Sequence, residues 1–89
     1  MPDVAHKIRL IFIVNGQDYA IDANANAPLL EAVKRVLAES GNTGRPPGEW
    51  EVRDSNGVLL DVHLTPKDLG LRDGARLFLS LRVGAGGVG

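Results

Sequence analysis

Lys7-Ile-Arg-Leu-Ile-Phe-Ile-Val-Asn-Gly-Gln-Asp-Tyr-Ala-Ile-Asp22 reads as two strands joined by a tight turn. Its first half, Lys7–Val14, is rich in β-branched and aromatic side chains, which suit a pleated, half-buried surface. Asn15-Gly16 follows, and a type I′ turn needs φ > 0 at both central residues, the conformation these two residue types tolerate best. A two-residue turn sets the register: Val14 faces Gln17, Phe12 faces Tyr19 and Leu10 faces Ile21. Side chains alternate across a strand, so Ile8, Leu10, Phe12 and Val14 take the core side. Lys7, Arg9, Ile11 and Ile13 take the other, with Ala20 and Asp18 across from the two isoleucines.

Outward from this hairpin, Ala23–Ala27 is a connector, and Pro28 suits the first position of a helix capped by Asn26 or Ala27. Leu29, Leu30, Val33, Val36 and Leu37 recur at helical spacing through Leu29–Glu39, and Gly41 stops the helix. Asn42–Gly48 is a loop. Glu49–Arg53 alternates charged and apolar residues, predicting a strand with Trp50 and Val52 inward. Asp54–Gly57 turns into a short strand, Val58–Leu60. Thr65-Pro66-Lys67-Asp68 has the form of one helical turn, capped by Thr65 and anchored by Leu69 and Leu71. Asp73-Gly74 then turns into a last strand with Leu77, Leu79 and Leu81 inward and Arg76, Phe78, Ser80 and Arg82 outward.

The longest and most apolar strands are the first and the last, which suits adjacent central positions, paired in parallel with the whole intervening chain as crossover. The expected fold class is α+β: a mixed sheet with one main helix across one face, in the β-grasp order. Residues 1–6 form a lead-in, 7–83 the domain and 84–89 a glycine-rich tail.

Composition narrows the function. Ten basic and eleven acidic residues nearly cancel, which argues against a general nucleic-acid or membrane binder. No cysteine is present, so a disulfide framework, a cysteine zinc site and a thiol nucleophile are all excluded. The apolar run Leu10–Val14 is too short to span a bilayer, and the expected location is cytoplasmic. His6 and His63 lack the companions that a metal site or a catalytic triad needs. Asp54, Asp61, Asp68 and Asp73 lie in turns, where aspartate is favoured for its bonds to nearby backbone. Neither a catalytic group, nor a metal, nor a cofactor is expected. Gly84-Ala-Gly-Gly-Val-Gly89 fits a dinucleotide-binding pattern by letter, but no helix or further strand follows it.

The Asn15-Gly16 hairpin, the Glu31-Ala-Val-Lys34 helix segment, the Thr65–Leu71 turn and Leu79-Ser-Leu-Arg-Val-Gly-Ala-Gly-Gly87 together resemble ubiquitin and its relatives. The chain is most similar to bacterial ubiquitin-like proteins encoded beside their own activating enzyme, conjugating enzyme and metallopeptidase. That resemblance implies a covalent modifier cut after a diglycine and joined to amines of target proteins, with Gly84, Gly86 and Gly87 as the processing segment. Val88-Gly89 beyond the diglycine implies a precursor that a peptidase trims. The chemistry suits glycine: a tail without Cβ atoms threads a narrow channel and bends as the channel requires.

The outward residues Ile11, Ile13 and Phe78, with Arg76 and Ser80, are expected to form a charge-rimmed apolar patch. In the family this face is a docking surface, so a partner or self-association is expected there. Lys7 and Lys67 are candidate acceptors for another copy, and Lys34, on the helix, is expected to be less reachable. Two other readings share the fold: a sulfur carrier ending in a thiocarboxylate, and a non-covalent, self-associating interaction module.

Overall fold

The structure, a computed structural model, describes residues 7–82. It contains β1 (Lys7–Val14), β2 (Gln17–Asn24), α1 (Leu29–Glu39), a short 3-10 turn (Pro47–Glu49), β3 (Trp50–Asp54) and β4 (Ala75–Leu81). The four strands form one sheet in the order β2-β1-β4-β3. β1 and β4 run parallel at its centre, and β2 and β3 are antiparallel edges. This is the β-grasp arrangement that the strand order predicted.

The hairpin has the expected register throughout, with Phe12 opposite Tyr19 and Leu10 opposite Ile21. Asn15 and Gly16 sit at φ 52° and 79°, as a type I′ turn demands. Helix α1 lays Leu29, Ala32, Val33, Val36 and Leu37 on the sheet. They meet Leu10, Phe12 and Val14 of β1, Ile21 and Ala23 of β2, Val52 of β3, and Leu77 and Leu79 of β4, all buried. Trp50 joins this cluster, and Leu69 and Leu71 pack against it half-buried.

The ends of α1 depend on main-chain partners. Pro28 is the N-cap itself, at φ −55° and ψ 140°, with no side-chain cap, one residue earlier than its expected place inside the helix. The first free N–H groups are met from another loop: Leu29 donates to the Leu64 carbonyl at 2.8 Å and Leu30 to that of Val62 at 2.9 Å. Carbonyls brought in by the fold do what a capping side chain would do. At the other end Gly41, φ 76°, donates to Ala38 at 3.2 Å and Asn42 to Leu37 at 2.8 Å, the paired bonds of a Schellman motif.

Three further expectations are corrected. Val58–Leu60 makes an isolated bridge, Arg53 to Leu59, in place of a strand, because the chain leaves β3 again after Leu60. Glu49 belongs to the 3-10 turn, and β3 begins at Trp50. Leu81, expected inward, is 41% exposed. Pairing between β1 and β4 stops at Val14 and Leu79, so Leu81 extends past the centre of the sheet with a strand on one side only. Thr65–Asp68 does close as expected: Asp68 N–H donates to Thr65 Oγ1 at 3.0 Å, and Thr65 N–H reaches Asp68 Oδ2 at 3.4 Å.

Candidate functional site

The sheet face away from α1 carries the residues singled out by sequence. Register places Ile13 beside Phe78 and Ile11 beside Arg76 on the central strands. Asp18 lies beyond Ile13 on β2, and Arg53 beyond Phe78 on β3. Asp18, Ile13, Phe78 and Arg53 therefore form one row across the sheet. Ser80 lies opposite Glu51 in the neighbouring row. Ile11 and Ile13 are half-buried, and Phe78 is 41% exposed.

Charge closes around this apolar centre. Arg76 on β4 pairs with Asp18 on β2 at 3.5 Å, so its side chain reaches across β1 between the positions of the two isoleucines. Arg53 pairs with Glu51 at 3.3 Å and donates to the Gly57 carbonyl at 3.1 Å. All the paired groups keep solvent contact, so these bonds are worth little to stability. Arg76 thus lies across the face between Ile11 and Ile13, and Arg53 with Glu51 borders Phe78 on the β3 side.

The sheet ends beside the glycine-rich sequence. Arg82 N–H donates to the Glu49 carbonyl at 2.7 Å, and its guanidinium donates through Nη2 to the Gly48 carbonyl at 2.9 Å. These bonds fasten the end of β4 to the turn before β3. Gly84, Gly86 and Gly87 lie outside the described residues, as does the 1–6 lead-in. Sequence alone gave Arg82 a place on the outer rim; its fastening role depends on a 3-10 turn 34 residues away that no local pattern announces.

Lys7 and Lys67 are exposed. Lys34 is also accessible, its side chain 52% exposed beside Glu31, because it lies on the side of α1 turned from the sheet. The four turn aspartates are committed to backbone. Asp54 Oδ1 accepts from Asn56 and Val58 at 2.9 and 3.0 Å, and Asp61 Oδ1 from His63 at 2.9 Å. Asp68 serves Thr65, and Asp73 Oδ1 accepts from Arg9 N–H at 2.6 Å. Among the described residues, no group of three or more histidines or carboxylates gathers as a metal site. No helix described is long and apolar enough to cross a membrane.

The family described as "Protein of Unknown function (DUF2604)" matches residues 3–87. The chain belongs to it. An uncharacterized protein of Sinorhizobium fredii, y4jI, is 38% identical over 82 residues, which cover 92% of this chain and 63% of that protein. The chain thus spans under two thirds of the length of that curated relative. Among solved structures, a protein designed de novo on the basis of ubiquitin is similar with a TM-score of 0.74 at 19% identity, covering 92% of this chain and 96% of the design. Ubiquitin of Caldiarchaeum subterraneum is similar at 0.71 and 21% identity, covering 91% of this chain and 99% of that one. A ubiquitin-like domain of an Arabidopsis thaliana protein follows at 0.69 and 12% identity, covering 85% of this chain and 78% of that one. This family member therefore has the ubiquitin-like β-grasp fold.

Proposed function

We propose that the chain is a ubiquitin-like protein modifier of bacterial type, cut after Gly87 and joined through that residue to amines of target proteins. The observation that carries this reading is the fastening of Arg82 to Gly48 and Glu49. It ends the sheet firmly, and Gly84-Ala-Gly-Gly87 begins two positions later in the sequence. A rigid body followed by side-chain-poor backbone suits an enzyme that must reach a carbonyl carbon through a narrow channel.

A carboxylate does not acylate an amine directly, because its oxygen is a poor leaving group. A peptidase first hydrolyses the Gly87–Val88 bond. An activating enzyme then joins the Gly87 carboxylate to the α-phosphorus of ATP, releasing pyrophosphate. A nucleophile on a partner enzyme displaces AMP, and a target amine finally displaces that nucleophile to form the amide. The chain supplies the acyl group, and the partners supply the catalytic groups. In this reading the Ile11, Ile13 and Phe78 face, with Arg76 and Ser80, docks the activating and conjugating enzymes. Lys7 and Lys67 are acceptors for further copies.

Intact-mass spectrometry of the tagged chain, recovered from its native cells, tests the proposal. Loss of Val88-Gly89 from the free form, with adducts on other proteins, is the expected result. A trimmed form carrying sulfur in place of one carboxyl oxygen would make it a sulfur carrier. An unchanged mass in cells where the chain acts would leave a non-covalent module.

A further inference from the structure

The outer face of the sheet carries its charge unevenly along one row. Asp18 on β2, Ile13 on β1, Phe78 on β4 and Arg53 on β3 follow one another across the strands. A carboxylate stands at one end of the row, a guanidinium at the other, and two apolar side chains lie between them. Both end groups keep capacity for a further partner. Asp18 meets Arg76 through Oδ2 at 3.5 Å, long for a bond between charged groups, and its side chain is 57% exposed. Arg53 donates through Nη1 to the Gly57 carbonyl and through Nη2 to Glu51, and its Nε has no acceptor among the described residues. At the centre Phe78 is exposed beside the half-buried Ile13. Helix α1 covers the opposite face of the sheet; this one has no cover among the described residues.

Such a row is complementary to itself when turned end for end. Two copies can stack face to face about a two-fold axis in two aligned ways. With the axis along the row, each residue meets its own image, so Asp18 lies on Asp18 and Arg53 on Arg53. Like charges then face each other, which disfavours that arrangement. With the axis parallel to β1 and β4 and midway between them, the row is reversed. The strand order β2-β1-β4-β3 then lays β1 of each copy over β4 of the other, and β2 over β3. Ile13 meets Phe78 and Asp18 meets Arg53, each contact occurring twice. Sheet twist sets the two layers of strands at about 30° to each other, the ordinary aligned packing of two sheets.

Neighbouring charges fit the same arrangement. Arg76 reaches across β1 to Asp18, and Glu51 stands beside Arg53. Each rim of the stacked pair therefore gathers Asp18 and Arg76 of one copy with Arg53 and Glu51 of the other. Two carboxylates meet two guanidinium groups there, so no charge is covered without an opposite one beside it.

We propose that a second copy of this chain covers the outer face, in a two-fold dimer that stacks Ile13 on Phe78 and closes Asp18 on Arg53. Its apolar centre is small against the roughly 800 Å² per partner of a standard interface, so the expected dissociation constant is on the order of 100 μM. The dimer is sparse in dilute solution and fills where copies are concentrated. This is also the face assigned above to the activating and conjugating enzymes, so on that reading the dimer is the form withheld from them. The dimer itself does not rest on that reading.

Sedimentation of the purified full chain, over a concentration series reaching the millimolar range and with no other protein present, tests the proposal. Failure there leaves the modifier reading standing. A reversible monomer–dimer equilibrium is expected, with concentration-dependent amide shifts at Ile13, Arg53 and Phe78. Asp18→Arg and Arg53→Asp each leave three like charges against one on both rims, and each should weaken the dimer roughly tenfold. An equimolar mixture of the two variants should associate again, because one rim then joins the two reversed residues and the other is native. With the axis along the row, by contrast, neither reversal would weaken anything, since each charge would already face its own kind. Should a reversal fail to fold, isotope-filtered NOEs between Ile13 of one native copy and Phe78 of another decide. A chain monomeric throughout the series, its face left to other proteins, would overturn the proposal. So would undiminished association of either variant, a mixture no tighter than its parts, or shifts confined to another surface.

Discussion

Leu77 and Leu81 lie on the same strand and point to the same side, so one substitution at both sites isolates the effect of position. Leu77 is fully buried, between β1 and β3 and beneath α1; Leu81 is 41% exposed and opposite Trp50 only. Leu77→Ala removes buried methyl groups and leaves a cavity, costing about 2–5 kcal/mol. Leu81→Ala forfeits only part of a side-chain burial worth about 1.5–3 kcal/mol in full, so about 1 kcal/mol is expected. In a domain this small, each kcal/mol shifts Tm by about 4–8 °C. Leu77→Ala should therefore lower Tm by more than about 10 °C, and Leu81→Ala by well under that. Trp50 is the sole tryptophan and is buried, so the red shift of its emission reports unfolding in a thermal or urea titration. Equal losses at the two positions would refute the placement of Leu81 outside the core.

Further outcomes follow from other contacts. Gly41→Ala forces a Cβ into the left-handed conformation at φ 76° and should cost about 1 kcal/mol, measured by urea unfolding. Asp73→Ala removes the carboxylate that accepts from Arg9 at 2.6 Å and should cost about 1–2 kcal/mol by the same assay. Phe78→Asp puts a carboxylate beside Arg53 and Arg76 and should cost about 1–2 kcal/mol for the partly buried ring, leaving the chain folded. Co-purification from native cells should show the loss of partners that bind this face; retained binding would remove Phe78 from the docking role.

Local chemistry made the hairpin legible. Asn15-Gly16 admits one turn, that turn admits one register, and alternation then sorts Phe12 from Ile13. The same alternation along β4 placed Phe78 outward, next to residues of β1 that are distant in sequence. Leu81 escaped because alternation tells which side a residue faces, and not where the covering layer ends. The Pro28 cap escaped for a related reason: its hydrogen-bond partners, Val62 and Leu64, come from another loop. The isolated bridge on β3 was hidden as well: Val58–Leu60 leaves the edge after one bridge, although Val58-Leu-Leu60 has the composition of a strand that would have stayed. Legible features are those fixed within a turn or along one strand; the others need two segments brought together by the fold.

The sharpest test concerns lysines on other proteins. Arg82 is the last tryptic site before the glycines, so digestion of conjugates should leave Val83-Gly84-Ala85-Gly86-Gly87 as an isopeptide branch on target lysines. Peptides with that branch should be found by mass spectrometry in native cells and vanish when Gly86 and Gly87 are deleted from the chain. Their absence from cells in which the intact chain is abundant and active would contradict covalent attachment through Gly87.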